Sequence, residues 1–217
     1  MMSTHQETFI SKYVFSTDHK MIAKQFMWLG LFFLFFGGAM AMLIRWQLAY
    51  PEQTVPWWLF GFLFENDGGI ISPDIYNQLF TMHGTIMIFW AITPLLIGAF
   101  GNFVIPLQIG APDMAFPKLN MLSFWTMFLA SIVLLSSYCL STGTASGGWT
   151  SYPPLSSPAG GIPGLGQTIW TIALILMGTA TMMGAINYIL LSFGCVHLEW
   201  GISKCPFPYG VFFSLPF

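Results

Sequence analysis

The sequence is poor in charge and in cysteine. Only 6% of its 217 residues are charged, whereas soluble domains carry about a quarter. So few charges cannot cover a soluble surface, and the apolar stretches exclude a protein that binds nucleic acid or acidic substrates. The three cysteines, Cys139, Cys195 and Cys205, form no CxxC pair and no Cys/His cluster. Neither a zinc site nor a thiol redox pair is therefore indicated.

Long apolar runs are what the sequence does have, and they predict the fold class. A helix of about 20 apolar residues spans the hydrocarbon core of a bilayer. Four runs reach that length, and the first is too long for a signal peptide. The sequence predicts an all-α membrane protein whose spans cover Met21–Leu43, Leu79–Pro106, Leu119–Leu140 and Thr168–Phe193.

The segments outside these spans complete the predicted organisation. Residues 1–20 form a polar arm in which Asp18 is placed to cap the first helix. The four-helix part covers residues 21–193. Residues 194–217 form an apolar tail that resembles the start of a fifth, partial span.

The charges are distributed unevenly between the two sides of the predicted membrane. Four spans put both termini on one side, and all five lysines of the chain lie at that side. The opposite loops contain no lysine but four acids, Glu52, Glu65, Asp67 and Asp74. The positive-inside rule therefore predicts that both termini lie in the cytoplasm or the mitochondrial matrix.

His83 lies inside the second span. A histidine at membrane depth is costly unless it faces a cavity, a metal or a hydrogen-bond partner on another helix. Met87, Trp90, Pro94, Ile97 and Gly101 share its stripe on an ideal helix, and either a flat ligand or an ordinary helix contact fits that stripe. Pro94 removes one helical hydrogen bond and predicts a kink there.

Other polar residues are predicted near the two faces of the membrane. Asn102, Asn120 and Asn187 lie near the inner ends of three spans, with Asp113 in the loop between two of them. They could hold an ordered chain of water with Asp113 as its proton-collecting mouth. Alternatively, Asp113 caps the loop and the asparagines join helices. Arg45 ends the first span near the outer face, where an arginine can simply extend to the interface.

Several long strings carry a family resemblance. DHKMIAKQF, RWQLAYP, TMHGTIMIFW, GNFVIPLQIGAPDMAFPKLNMLSFW, GGWTSYPPLS and MGAIN occur in this order between Asp18 and Tyr188. The chain thereby resembles the catalytic subunit I of the haem-copper terminal oxidases. This resemblance implies one third of a twelve-helix oxidase core, and it weakens after Tyr188.

The resemblance implies two groups of site residues. His83 corresponds to one of the two axial ligands of the low-spin haem, and Arg45 to the arginine that bonds a peripheral haem substituent. The aspartate at the entrance of a proton pathway is matched at Asp113. Asn102, Asn120 and Asn187 match the asparagines that line the lower part of that pathway, and Thr181 stands where the family often has a serine further along it. Trp149 and Tyr152 match the outer loop that covers the haem region.

The resemblance also implies what this chain does not supply. The second ligand of the low-spin haem, of a or b type, is missing, as are the copper ligands, the second haem's ligand and the glutamate that ends the pathway. Gln47 replaces an acid that some members place near a cation, so no metal is assigned there. Oxygen reduction would then need the remainder of subunit I, with the second haem and copper.

The implied partners are the oxidase subunits II and III, membrane lipid and cytochrome c as electron donor, with no nucleic acid. A bacterial inner membrane is favoured over a mitochondrial one. Two alternatives stay open at this point. One is a quinol oxidase of the same family, and the other is a four-helix membrane scaffold that binds no haem.

Overall fold

The computed structural model describes residues 9–157 and 164–196. Four long helices account for most of these residues, and no strand occurs among them. All four are long and apolar enough to cross a membrane. They are α1 (His19–Ala49), α2 (Pro73–Ile109), α3 (Pro117–Cys139) and α4 (Gly166–Val196). The prediction of an all-α protein with four membrane spans is confirmed.

Shorter elements lie outside the four helices. A π-helical turn at Ile10–Val14 precedes α1, and two 3-10 helices, Trp57–Leu59 and Gly61–Asp67, follow it. The predicted loop between the third and fourth spans consists of turns over its described part. Most of the predicted tail, and with it the partial fifth span, lies outside the described residues.

Local sequence signals explain where the helices begin and end. Asp18 caps α1 as predicted, because its Oδ1 accepts a hydrogen bond from the backbone N–H of Lys20 at 3.2 Å. At the end of α2, Gly110 adopts the left-handed backbone conformation with φ +72°, which glycine accommodates without steric cost. The helix that contains the first predicted span continues four residues beyond Arg45, to Ala49.

The middle of α2 departs from ideal helical geometry. The segments Ile86–Ile92 and Pro94–Gly101 are π-helical, so the helix is widened on both sides of the point where Pro94 was predicted to disturb it. The stripe predicted from an ideal helix is accordingly not one surface. Trp90 is fully buried and its indole N–H donates to Ser131 Oγ at 3.1 Å, whereas Ile97 is exposed. Of the two alternatives for this stripe, the helix contact is confirmed at Trp90.

The helices pack as two antiparallel pairs around a common core. α1 lies along α2, and α3 lies along α4, while α1 also contacts α3. The core contains the fully buried side chains of Phe33, Met82, Trp90 and Leu134. We use the term "N-terminal end" for the end of the bundle where α1 begins, and "loop end" for the end where α1 leads into residues 50–72.

Gly98 of α2 packs closely against Phe26 of α1 at the N-terminal end. A Cβ atom at Gly98 would lie 2.6 Å from the Cγ of Phe26 and 3.1 Å from its Cβ. The ring cannot simply swing away, since its own Cβ is also too close. The two helices therefore need a residue without a side chain at this position.

We expect the Gly98→Ala variant to lower the free energy of unfolding by about 1–3 kcal/mol, the usual cost of overpacking a filled core. Gly38→Ala is the matched control, because no atom lies within 4 Å of the Cβ it would introduce. Thermal unfolding of the detergent-purified protein, with its natural partners, measures both. Equal unfolding temperatures for the two variants would contradict the prediction.

Candidate functional site

His83 is held by a backbone contact between α2 and α1. Its Nδ1 lies 2.9 Å from the carbonyl oxygen of Gly37, and the side chain is half-buried. A carbonyl oxygen only accepts hydrogen bonds, so Nδ1 carries the hydrogen and Nε2 carries the free lone pair. Histidines that bind metals commonly donate their second N–H to a carbonyl in this way. Nε2 of His83 is therefore oriented and available as a metal ligand.

The contact depends on the absence of a side chain at Gly37. A Cβ atom there would lie 2.8 Å from the Sδ of Met87 and 3.2 Å from the Cγ2 of Ile86. Glycine lets the backbone of α1 approach α2 closely enough for its carbonyl to reach the imidazole. The GGA sequence at residues 37–39 was the signal for such an approach.

The loop between α3 and α4 is attached to α2 close to His83. The backbone N–H of Gly148 donates to Thr81 Oγ1 at 2.9 Å, and that of Thr144 donates to Gln78 Oε1 at 3.1 Å. The indole of Trp149 lies against Gly84, the residue next to His83. The structure thus places Trp149 against the residue that follows His83.

Two other residues predicted for this region lie at the surface of the described bundle. Tyr152 is 72% exposed. Arg45 is also exposed, eight positions beyond Gly37 on α1, which corresponds to about 12 Å along the helix axis toward the loop end. Arg45 and His83 therefore lie on adjoining helices at different depths.

Asn102 and Asn120 join α2 to α3 near the N-terminal end. Asn120 Nδ2 donates to Asn102 Oδ1 at 2.7 Å, and Asn102 Nδ2 donates to the carbonyl oxygen of Gly98 at 2.7 Å. Both side chains are buried. The bond between the two asparagines joins two helices, which is one of the two roles that the sequence allowed for them.

Asp113 and Asn187 lie at the same end of the bundle. Asn187 Oδ1 accepts from the backbone N–H of Phe116 at 2.8 Å, which ties α4 to the loop before α3. Asp113 Oδ1 accepts from the backbone N–H of Met114 at 2.7 Å and lies 3.2 Å from Nδ1 of His19. The carboxylate thus stabilises its own loop and contacts the start of α1.

Three buried polar atoms in this region have no hydrogen-bond partner among the described residues. They are Asn120 Oδ1, Asn187 Nδ2 and His19 Nε2. Leaving such an atom unpaired costs about 1–3 kcal/mol, so buried groups of this kind are usually bonded to water. The site has the polar atoms that ordered water needs.

A small cavity extends from Asn102 into the bundle. Its volume is about 30 Å³ and its lining includes Asn102, Ser123, Thr181 and Tyr188. A water needs roughly 10–15 Å³, so the cavity has room for one. The structure thereby brings Thr181 and Asn102 to one space, as a pathway through both would require.

Sequence reasoning missed three polar residues here. Ser123 lies one helical turn after Asn120, and this spacing was a usable signal. Tyr188 donates from its hydroxyl to the carbonyl oxygen of Ile97 at 2.6 Å, which no sequence pattern indicates. His19 was read only as part of the polar arm, yet it is buried against Asp113.

The fold and these spans define an integral membrane protein of several passes. The chain belongs to the family described as cytochrome c and quinol oxidase polypeptide I, whose family model matches residues 21–215. The family resemblance is confirmed, and the match continues beyond Tyr188, where the resemblance was expected to weaken. This family is that of the haem-copper oxidoreductases.

Named relatives agree with this assignment. The chain is 40% identical to cytochrome c oxidase subunit 1 of Thermostichus vulcanus over 178 residues, which are 82% of this chain and 29% of the relative. It is also 40% identical to cytochrome c oxidase subunit 1 of Synechocystis sp. over 177 residues, 82% of this chain and 28% of the relative. The chain therefore spans less than a third of the length of these relatives.

Proposed function

We propose that this chain is the N-terminal part of the catalytic subunit of a haem-copper oxidase. The complete subunit would couple electron transfer from cytochrome c to the reduction of oxygen to water and would move protons across the membrane. The family assignment and the names of the relatives support this function. The four spans would be one part of a twelve-helix core, with residues 1–20 as an arm and 194–217 leading toward the following span.

In this proposal His83 is one axial ligand of the low-spin haem. The observation that carries the proposal is the 2.9 Å contact of His83 Nδ1 with the Gly37 carbonyl oxygen, because it fixes the tautomer that leaves Nε2 free for iron. A haem with histidine at both axial positions transfers electrons and does not bind oxygen. The second histidine, the oxygen-binding haem and copper would come from the remainder of the subunit.

Arg45 is proposed to bind a peripheral group of that haem. Its guanidinium is permanently charged and presents five N–H donors, which suits oxygen atoms of a porphyrin substituent. It lies nearer the loop end than His83, on the helix that already supplies the Gly37 carbonyl. Its role would be to orient the haem and to tune its potential.

The polar residues at the N-terminal end are proposed to form the entrance of a proton pathway. Asp113 would collect protons, and water held by Asn102, Asn120, Asn187 and Thr181 would relay them. Asparagine cannot carry the proton itself, so its part is to hold water in place. The unpaired buried atoms of Asn120 and Asn187 and the cavity between Asn102 and Thr181 support this assignment.

The proposed setting follows from the family and the charges. Subunits II and III, the rest of subunit I and membrane lipid would surround this part. The lysines would place both termini on the cytoplasmic side, in a bacterial inner membrane. A quinol oxidase is the second candidate, since the family includes both kinds. The relatives' names favour cytochrome c.

The test is mild purification of the chain from its native membrane, followed by mass spectrometry and a reduced-minus-oxidised optical spectrum. We expect the remaining helices, in the same or a co-purifying polypeptide, together with a low-spin haem band. A CxxxC copper motif in the partner subunit would distinguish cytochrome c from quinol as donor. A chain that purifies without further helices and without haem would overturn the proposal in favour of a membrane scaffold.

A further inference from the structure

The start of α1 contributes a buried histidine to the loop that contains Asp113. The His19 side chain is only 4% exposed, and its Nδ1 lies 3.2 Å from Asp113 Oδ1, although the two residues are 94 positions apart. A second carboxylate, Asp18 Oδ1, lies 3.7 Å from the same nitrogen, but Asp18 is more than half exposed. Asp113 is therefore the partner that the buried imidazole meets inside the protein.

The geometry fixes the role of each atom. An ionised carboxylate only accepts hydrogen bonds, so Nδ1 of His19 is the donor in this contact and Nε2 is the ring nitrogen left for another partner. Among the described residues, Asp113 makes two side-chain hydrogen bonds, from His19 and from the Met114 N–H, and both are made to Oδ1. Oδ2 is the oxygen left to take up a proton.

Nε2 of His19 is buried and has no partner among the described residues. A buried ring nitrogen of this kind requires a hydrogen-bond partner, and water is the one available to a polar site at the end of a membrane helix. His19 thus has one nitrogen on Asp113 and a second that needs a hydrogen-bond partner.

We propose that His19 is a positioning residue for Asp113, holding the carboxyl group through Oδ1 so that Oδ2 faces the proton supply. This inference rests on the proposed proton pathway and adds to it a residue from α1. The single contact that matters is the one made by Nδ1. A side chain that keeps a nitrogen donor at the δ position should therefore suffice, and one that places it at the ε position should not.

Three variants in the complete oxidase separate these possibilities. His19→Asn keeps an N–H donor at the position of Nδ1, His19→Gln moves it to that of Nε2, and His19→Leu removes both. We expect His19→Asn to retain at least about half of the proton-uptake rate, and the other two to slow it roughly tenfold. Lys20→Gln, at the exposed next residue, is the control and should match the parent.

The measurement is proton uptake from bulk solution during a single turnover, recorded with a pH-sensitive dye, beside the rate at which the low-spin haem is reduced. A merely structural role would lower both rates or the haem content. Equal uptake in all three variants, or equal slowing in all three, would overturn the role of His19. If Asp113→Asn itself leaves uptake unchanged, the proposed pathway fails, which is a separate result.

Discussion

Replacing Asp113 with Asn in the complete oxidase is expected to slow proton uptake by roughly a hundredfold, the lower range for a positioned proton-transfer group. Asparagine is nearly the same size and can accept hydrogen bonds from His19 and Met114 through its carbonyl oxygen, so the loop should keep its conformation. It cannot bind and release a proton at neutral pH. The loss should therefore appear in proton uptake and pumping, with normal haem content.

Single-turnover uptake with a pH-sensitive dye and proton release from reconstituted vesicles measure the two effects. Asp74→Asn is the matched control, because Asp74 is an acid in the first turn of α2, at the loop end of the bundle. It should leave both rates unchanged. Normal turnover and pumping in the Asp113 variant would show that this carboxylate only stabilises its loop.

The second large effect is expected at His83. The His83→Gly variant removes the proposed iron ligand and leaves a space of imidazole size beside the Gly37 carbonyl. The low-spin haem band should be lost from the reduced-minus-oxidised spectrum, and electron transfer from cytochrome c should stop. Low-spin ligation requires a strong nitrogen ligand at this axial position, and glycine offers none.

Added imidazole is the internal control for this variant, because it can occupy the space and donate its N–H to the Gly37 carbonyl oxygen as the His83 side chain does. We expect it to restore at least part of the low-spin band. His19→Asn is the second control, since it changes a histidine at the other end of the bundle and should leave the spectrum intact. An unchanged spectrum in His83→Gly would mean that the histidine only joins α2 to α1.

The sequence predicted the membrane class, the four spans and the family, because each depends on local information. A run of about 20 apolar residues is recognisable without knowledge of its neighbours. The strings around His83 and Asp113 are likewise continuous in the chain. The ends of the helices were less accurate, because backbone hydrogen bonding carries α1 past Arg45, the charged residue taken as the end of the span, to Ala49.

The π-helical part of α2 explains why helical periodicity did not predict which residues of this helix share one face. The stripe of His83 was drawn by assuming 100° per residue, but π-helical segments turn less per residue. The stripe was predicted to contain Met87, Trp90, Pro94, Ile97 and Gly101. Trp90 and Ile97 consequently face different surroundings, one in the core and one exposed. Pro94 indicated where α2 would be irregular, but the sequence did not indicate that the irregular segments would be π-helical.

The sequence by itself determined that His83 and Asp113 would lie in or beside membrane helices, at opposite ends of a four-helix bundle. Only the tertiary structure decided what they contact: Nδ1 of His83 with the carbonyl of Gly37, and Asp113 with His19. The two residues of the first contact are 46 positions apart in the sequence, and those of the second are 94 positions apart. They depend on how closely whole helices approach each other, which is set by packing at positions such as Gly37 and Gly98 and not by the pattern of any single helix.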